Sequence, residues 1–390
     1  MQTPYRISLF LLSLSLPLAA AQAAPAYPEY RVTIVGPANS AATDINEAGV
    51  VVGTYPVSPT STRGFINRGK GVIELGTLGG TSSNAVAIND KGQVLGHWTT
   101  RGGQQRGFIY YQGRQRDIGV VPGRFTTYTD INNAGYVTAF GGTPEISDGV
   151  RSFLRSPNGK FRDIGNLPFE EPLLTRALAL NNRNQITGES GPLTFPDQPL
   201  RAFIWTNGVM RDLGDLGSEP NGGQAINDRG QITGYMSLPE DFDRVAFFYS
   251  NGRLIDIDRR PPTEDRFSQG TGINNYGHIV GTSDHLSGFI WRGRRMQSLN
   301  TLIDPKLGWN IFGPQAINDA GQIAATATRG GVQYAVRLDL VRPHLMAAPD
   351  SGNDAAAVAE GQAVSPAQAA AEAKAEAEAQ LREVVKPVRQ

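Results

Sequence analysis

A ten-residue motif recurs seven times along this 390-residue chain. Its ten positions include, in order, a small residue, Ile or Leu, Asn, Asn or Asp, any residue, Gly and an apolar pair, and most copies end in a second Gly. One copy is 225–234 (AINDRGQITG). The Asn stands at positions 46, 89, 132, 181, 227, 274 and 318, so that successive copies lie 43 to 49 residues apart. A period of about 45 residues is typical of propeller-type arrays. The motif therefore predicts a ring of small, repeated sheets.

Two further signatures divide the repeat into four strands. One is small, Phe, apolar, aromatic, as at 202–205 (AFIW), and the other is acidic, apolar, Gly, as at 212–214 (DLG). Between them lie dipeptides such as Asn207-Gly208, which supply the positive φ angles that a tight hairpin needs. In the first turn of the repeat the Asn is expected to cap backbone groups, while Gly, or Asn184 in the fourth copy, takes the left-handed conformation.

The strand count predicts how the ring closes. The seventh copy supplies only three strands, the last of them at 334–341. A fourth strand stands at the other end of the chain, because 30–36 (YRVTIVG) precedes the first Asn motif. Pairing these two segments leaves no open sheet edge. The sequence thus predicts an all-β fold: a seven-bladed β-propeller of four-stranded blades, closed by the N-terminal strand pairing in the last blade.

The repeats resemble those of the HAF-repeat proteins, probable extracellular repeat proteins of bacteria. The resemblance covers roughly residues 30–340 and rests on AINDRGQITG, RAFIWTNGVMRDLGDLG and GFINRGKGVIELGTLGG. It implies export and a propeller-like fold, and it implies no general biochemical activity. This chain departs from the His-Ala-Phe of the family, since it carries Arg-Gly-Phe, Arg-Ser-Phe and Arg-Ala-Phe instead.

Both ends of the chain differ from the repeats. Arg6, an apolar run and a small-residue site ending at Ala23 form the pattern of a signal peptide at 1–23. The propeller is assigned to 24–345, and an Ala- and Glu-rich tail, flexible or partly helical, to 346–390. No other segment is apolar enough to span a membrane. The protein is therefore expected to be secreted or periplasmic.

Composition excludes several classes of function. Lys and Arg together number 36, as do Asp and Glu, so the chain lacks the basic excess of a nucleic-acid binder. There is no Cys, and the four His, at 97, 278, 285 and 344, show no spacing suited to zinc. Neither a nucleophile elbow nor a phosphate loop is present. No catalytic residue, metal or cofactor is therefore assigned.

An Arg two residues before the repeated Phe is predicted to pair with the acid of the following strand. If Phe203 lies opposite Asp212 across the hairpin, Arg201 and Asp212 are diagonal neighbours on one face. A structural ion pair is the favoured interpretation, and an anion site is the alternative. The equivalent pairs are Arg63 with Glu74, Arg106 with Asp117 and Arg151 with Asp163, whereas the sixth repeat has Ser287 and Ser298, and the fifth has Val245 with Asp256.

Variable segments between the second and third strands and between repeats are expected to share one face of the ring. Loops on a rigid scaffold commonly carry binding residues, and these segments collect aromatic and Arg side chains that suit sugars, peptides or anionic polymers. The candidate ligand-binding residues are Trp98, Arg101, Arg124, Tyr128, Arg176, Glu189, Tyr235 and Trp309.

The favoured function is an exported, non-enzymatic binding or interaction scaffold, a monomer that uses this loop-rich face to bind an envelope or extracellular protein or glycan. The alternative is a polysaccharide-directed hydrolase or lyase with carboxylates at the channel mouth, for which Glu189, Asp44 and Asp130 are the candidates. Asp on an inner strand more often bonds backbone groups. The seven repeated Asn are interpreted as turn caps rather than as metal ligands, because a hard cation needs several carboxylates.

Overall fold

The structure is a computed structural model that describes residues 28–143, 149–169, 173–193, 200–214, 220–238, 244–260 and 266–341. The predicted signal peptide at 1–23 and the predicted tail at 346–390 lie outside these ranges. The described residues form β-strands and two short 3-10 helices, Leu299–Thr301 and Pro305–Leu307. The prediction of an all-β fold is confirmed.

The strands are short and follow one another closely. The first fourteen are β1 (Tyr30–Ala38), β2 (Ala41–Ile45), β3 (Val51–Ser58), β4 (Ser61–Asn67), β5 (Val72–Glu74), β6 (Ser82–Ile88), β7 (Val94–Thr99), β8 (Gln105–Tyr111), β9 (Arg114–Gly119), β10 (Thr127–Ile131), β11 (Val137–Gly142), β12 (Val150–Arg155), β13 (Phe161–Asp163) and β14 (Leu173–Leu180). The others are β15 (Ile186–Pro192), β16 (Arg201–Thr206), β17 (Val209–Asp212), β18 (Asn221–Ile226), β19 (Ile232–Ser237), β20 (Arg244–Ser250), β21 (Arg253–Asp256), β22 (Ser268–Ile273), β23 (Ile279–Ser283), β24 (Ser287–Arg292), β25 (Arg295–Ser298), β26 (Trp309–Ile317), β27 (Ile323–Arg329) and β28 (Val332–Leu340).

Strands that are neighbours along the chain pair antiparallel. Five sheets have four strands each, in the orders β2-β3-β4-β5, β6-β7-β8-β9, β18-β19-β20-β21, β22-β23-β24-β25 and β1-β28-β27-β26. The sixth sheet has eight strands, because one parallel pair, Val150 with Leu174, joins β10–β13 to β14–β17. The first strands β2, β6, β10, β14, β18, β22 and β26 each contact the next in this order, and β26 contacts β2.

The strand pairing predicted between the two ends of the repeat region is present. β1 runs antiparallel to β28, with Tyr30 opposite Leu340 and Ile34 opposite Val336. The Tyr30 side chain is buried and packs in the same core cluster as Val336 and Leu338. Residues from opposite ends of the described chain therefore share one sheet and one core.

Glycine and phenylalanine occupy complementary positions in the sheets. Gly96 lies opposite Phe108 in the β7–β8 pair, and a Cβ at Gly96 would lie only 2.3 Å from the Phe108 ring. Gly281 and Phe289 repeat this arrangement at 2.6 Å in the β23–β24 pair. At these positions the Gly that ends the ten-residue motif therefore makes room for a fully buried ring on the neighbouring strand, whereas at Gly188 and Gly234 an added Cβ would meet the backbone of the first strand.

The predicted turn conformations are confirmed. Asn207 and Gly208 have φ angles of 53° and 104°, as a tight primed hairpin requires. Asn184 has a φ of 58°, so Asn substitutes for Gly in the left-handed position of the fourth copy.

The repeated Asn residues cap their turns and also link consecutive sheets, a set of contacts that we call the Asn ladder. In each turn the Asn Oδ1 accepts a hydrogen bond of 2.9–3.0 Å from the backbone N–H four residues later. Its Nδ2 donates to the carbonyl oxygen of the Asn in the next turn, at 2.8–3.1 Å. The last of these bonds runs from Asn318 back to Asn46. The turns therefore lie together at one end of the molecule, which we call the turn-side end; the opposite end is the loop-side end.

A second set of hydrogen bonds runs beside the Asn ladder. The backbone N–H of the residue after each Asn donates to the side-chain oxygen of the corresponding residue in the next turn, as in Glu47 to Asp90 at 2.9 Å. The remaining links join positions 90, 133, 182, 228, 275 and 319 in order, and Asp319 donates back to Glu47. This pattern explains why Asn, Asp or Glu, all with a side-chain acceptor, follows the repeated Asn.

The predicted ion pairs are present at the outer strands. Phe203 lies opposite Asp212, and Arg201 approaches Asp212 to 3.1 Å. The other N–O distances are 3.6 Å for Arg63 with Glu74, 2.7 Å for Arg106 with Asp117 and 3.4 Å for Arg151 with Asp163. In the exceptional fifth repeat, Asp256 instead pairs with Arg266 from the following segment, at 3.1 Å. These contacts support the structural interpretation of the Arg and acid pattern.

Replacing Asn227 with Ala should destabilise the protein by roughly 2–4 kcal/mol, because it removes the hydrogen bond to the buried Asn274 carbonyl and leaves the backbone N–H groups of Arg229 and Gln231 without their acceptor. Urea denaturation measures the loss. The control is Asp228→Asn, which installs the residue found in three other turns and should cost less than about 1 kcal/mol. Equal losses for the two variants would show that the Asn ladder contributes little to stability.

Candidate functional site

Three predicted binding residues meet around one buried carboxylate. Arg176 on β14 lies opposite Glu189 on β15, and its Nη1 donates to Glu189 Oε1 at 2.7 Å. Tyr235, on β19 of the next sheet, donates from its hydroxyl to Glu189 Oε2, also at 2.7 Å. The side chain of Glu189 is only 4% exposed, whereas that of Arg176 is 36% exposed. Both carboxylate oxygens are thus engaged, and part of the Arg176 side chain faces solvent.

Gly222 permits this contact between two sheets. It lies opposite Tyr235 in the β18–β19 pair. A Cβ at this position would lie 2.8 Å from Glu189 Oε2 and 2.9 Å from the Tyr235 ring. Any larger residue would therefore push the phenol and the carboxylate apart.

Arg244, which was not among the predicted residues, completes the group. Its guanidinium carbon lies 3.5 Å from the centre of the Tyr235 ring, and its Nη2 donates to Gln269 at 3.1 Å. Its Nε is buried and has no hydrogen-bond partner among the residues that the structure describes. We call Arg176, Glu189, Tyr235 and Arg244 the Glu189 cluster.

A sequence signal for Arg244 did exist. It stands three residues before Phe247, whereas the Arg of the other repeats stands two residues before the Phe. Because side chains alternate between the two faces of a strand, a shift of one residue turns the side chain to the opposite face. Arg244 therefore stacks on Tyr235, while Arg201 reaches the outer acid Asp212.

The electrostatics of the Glu189 cluster favour an anionic ligand. Burial raises the pKa of Tyr235 far above its usual value, and the neighbouring Glu189 raises it further, so the phenol stays protonated and donates. Burial lowers the pKa of Arg244, yet an Arg remains charged at neutral pH. Two Arg and one Glu leave a surplus positive charge, and the Arg part is the more exposed.

His97 occupies the position on β7 that Glu189 occupies on β15, directly after the recurring Gly. Its Nε2 accepts a hydrogen bond of 2.9 Å from the backbone N–H of Tyr128 on the next sheet. Burial lowers the pKa of His97 to about 4. The neutral imidazole therefore links two sheets as an acceptor.

The other predicted binding residues lie apart on several sheets. The Trp98 indole on β7 donates to Asp117 at 3.3 Å, the Arg101 Nε donates to the Gly79 carbonyl at 3.2 Å, and Arg124 donates to the Gly141 carbonyl at 3.5 Å. Trp309 begins β26 and lies edge-on to Tyr334, with Arg329 5.3 Å from its ring. The predicted loop positions are wrong for five residues, which lie in the strands β7, β10, β14, β19 and β26: Trp98, Tyr128, Arg176, Tyr235 and Trp309. Tyr128 is also fully buried.

The inner-strand carboxylates Asp44 and Asp130 bond the backbone. Asp44 accepts hydrogen bonds from the backbone N–H of Ile45 at 2.7 Å and of Ile88 at 2.8 Å. Asp130 accepts the equivalent bonds from Ile131 in its own strand and from Leu180 in β14, both at 2.7 Å. Burial raises the pKa of Asp44 to about 8, with a contribution from the charge of Asp130, and raises that of Asp130 to about 6. Both oxygens of each carboxyl group are thus occupied within the fold.

Two searches of the described residues were negative. Within these ranges, no three or more His, Asp or Glu side chains are grouped as a metal ion would need. The same part of the chain contains no apolar helix long enough to cross a membrane.

Comparisons with known proteins identify the fold class. No protein-family model matches the chain, and neither does any curated protein. The structure is similar to the β-propeller domain of the Trilobed protease from Pyrococcus furiosus, with a TM-score of 0.51 and 10% identity over 77% of this chain and 93% of that one. It is also similar to puromycin hydrolase, with a TM-score of 0.50 and 14% identity over 76% of this chain and 51% of that one. These likenesses show a β-propeller fold.

Replacing Tyr235 with Phe should cost roughly 1.5–3 kcal/mol, because it removes a hydrogen bond to a buried carboxylate. Tyr55→Phe is a matched control, since Tyr55 donates to Glu74, whose side chain is 52% exposed and can bond water instead. Its cost should stay below about 1 kcal/mol. Urea denaturation at pH 7 measures both, and similar losses would argue against a buried polar network at Glu189.

The depressed pKa of His97 predicts acid sensitivity. Between the unfolded value of about 6.5 and the folded value of about 4, the unfolded chain binds a proton that the folded chain does not. Stability should therefore be lost as pH falls through this window, by up to about 3 kcal/mol from this group. In His97→Gln the free energy of unfolding, measured by urea titration, should fall by this much less between pH 7 and pH 4. An unchanged fall would show that the pKa of His97 is not depressed in the folded protein.

Proposed function

We propose that this chain is an exported, non-enzymatic binding scaffold, a seven-bladed propeller that holds an anionic group of an envelope or extracellular glycan or protein at the Glu189 cluster. The first strand of the described chain completes the last blade. The two Arg residues supply the attraction, and the buried carboxylate and phenol hold them in place.

Three observations support the blade count and the closure. The Asn ladder has seven links, and the link from Asn318 returns to Asn46. β26 contacts β2, as the first strands of consecutive sheets do elsewhere. β1 pairs with β28, which is the strand exchange that a ring of blades uses to remove its open edge.

The observation that carries the binding proposal is the contrast in exposure within the ion pair of Arg176 and Glu189. The carboxylate is buried and fully bonded, so it fixes the guanidinium without itself facing a ligand. A side chain that is already ordered loses little conformational entropy on binding. A guanidinium also presents several N–H donors, which match the geometry of a carboxylate, sulfate or phosphate group.

Export is supported by the signal-peptide pattern at 1–23 and by the resemblance of the repeats to extracellular repeat proteins. The absence of Cys is compatible with either an oxidising or a reducing compartment.

A polysaccharide hydrolase or lyase is the second candidate, and the raised pKa values of Asp44 and Asp130 favour it. Perturbed carboxyl groups commonly mark acid and base catalysts. Against it, each of these carboxyl groups accepts two backbone hydrogen bonds and so has a structural role. Hydrolysis of acidic polysaccharides that is lost in Asp44→Asn and Asp130→Asn would decide for the enzyme.

The protein should be recovered from the periplasm or the medium and should bind acidic glycans, or an acidic envelope protein, in preference to neutral ones. Arg176→Ala should weaken this binding at least about tenfold, which corresponds to about 1.4 kcal/mol. Glycan arrays and titration calorimetry measure the affinity, and thermal unfolding confirms that the variant is folded.

Arg63→Ala is the control, because Arg63 also pairs with a carboxylate, Glu74, but does so at the outer strands of another sheet, away from the Glu189 cluster. Arg244→Gln provides a second test that leaves the pair of Arg176 and Glu189 intact. Full retention of binding in both Arg176→Ala and Arg244→Gln would contradict the proposed site, and a chain confined to the cytoplasm would contradict export.

A further inference from the structure

A second group of basic residues lines a cavity between two sheets, far along the strands from the Glu189 cluster. The cavity lies at the turn-side end, between the sheet β6–β9 and the strands β10–β13, and has a volume of about 220 Å³. Lys91, Arg116 and Arg155 line it, together with Gln93 and Tyr111. None of the residues lining it is acidic. The three basic residues form no ion pair within the described part of the chain, unlike the outer Arg residues of the repeats.

Arg155 is buried at this cavity with its hydrogen-bonding capacity largely unused. The residue is only 7% exposed, and its buried Nε finds no hydrogen-bond partner within the described ranges. Its Nη1 reaches the Ser156 carbonyl only at 3.4 Å, and its guanidinium lies 5.9 Å from the Phe161 ring. Burial lowers the pKa of Arg155; the neighbouring Tyr128 opposes this shift, and the positive charge of Arg116 adds to it. A buried cation without a counter-charge is costly to the fold.

The fold itself does not require a charge at this position. The residue two positions after the repeated Phe is aromatic in four other repeats, namely Tyr110, Trp205, Tyr249 and Trp291. Arg155 occupies the same register as these residues, because Val137 lies opposite it as Ile186 lies opposite Trp205. The neighbouring cavity between the next two groups of strands is lined by Trp205, on which Arg162 stacks at 5.2 Å. Arg155 thus replaces an apolar ring that the same architecture accepts elsewhere.

We propose that this cavity, which we call the Arg155 pocket, is an anion-binding site for a phosphate or sulfate group, either as the free ion or as the terminal group of a small molecule. Because three positively charged side chains and no acidic residue line the cavity, it favours a ligand with more than one negative charge. The Arg155 fork can donate two parallel hydrogen bonds to such a group, and Lys91 contributes a point charge at the rim. The volume is below the range of about 300–1,000 Å³ that is usual for larger ligands, which suits a small oxyanion.

The test is thermal unfolding of the full chain in inorganic phosphate, inorganic sulfate or glycerol phosphate, each against sodium chloride at the same ionic strength. A ligand that binds only the folded state raises the unfolding midpoint in a saturable manner. The wild-type protein should show such a rise with at least one of these anions. A rise with the inorganic ions alone identifies a site for the free ion, and a rise with glycerol phosphate as well identifies a site that accepts esters.

Arg155→Trp is the decisive variant, because it installs the residue that two other repeats have at the equivalent position, Trp205 and Trp291. In chloride it should fold and be at least as stable as the wild type, since an apolar ring replaces an unpaired buried charge. The saturable shift should persist in Arg162→Gln in the neighbouring cavity and in Arg176→Ala, which removes the proposed anion contact at the Glu189 cluster. It should disappear when Arg155→Trp is added to Arg176→Ala. No shift in Arg176→Ala, or an equal shift in Arg176→Ala with and without Arg155→Trp, would overturn the proposal.

Discussion

The rest of this structure depends on the hydrogen bond that each repeated Asn donates to the next turn. A single four-stranded sheet cannot bury both of its faces, so it is stable only against its neighbours. The core clusters show this directly, since Leu95 of one sheet packs with Tyr128 and Val137 of the next. The Asn ladder holds the sheets in register at one end. Because each amide also caps its own turn, one side chain couples local geometry to assembly.

The outer strands are stabilised by a different kind of contact. Arg and acid pairs tie the third strand to the fourth, where the sheet is short and partly exposed to solvent. Exposed pairs of this kind contribute little each. The fifth repeat is informative, because Arg266 reaches Asp256 from the following segment when the usual Arg is Val245. The acid thus keeps a cation although the residue that supplies it has moved along the chain.

The two proposed sites are departures from the repeat. Glu189 and Arg155 put charge where other repeats have neutral residues or His97, and Arg244 is displaced by one residue from the usual Arg position. A repeating architecture makes such departures interpretable, because the other copies show what the fold alone accepts. Glu189 is paired and therefore organises its surroundings, whereas Arg155 has no ion-pair partner in the described part of the chain. The first arrangement suits a fixed binding surface and the second a pocket completed by its ligand.

The repeat period, the strand order, the hairpin turns and the pairing of Arg201 with Asp212 could all be inferred from the amino-acid sequence, because each depends on chemistry within one repeat. Of the eight candidate binding residues, three lie together in the structure, namely Arg176, Glu189 and Tyr235. The others lie apart from them, and Tyr128 is buried in a strand. The Asn ladder, the position of Arg244 and the Arg155 pocket emerged only from the tertiary structure. These contacts join residues of different sheets, and the packing angle between sheets, which no local pattern encodes, decides which side chains meet.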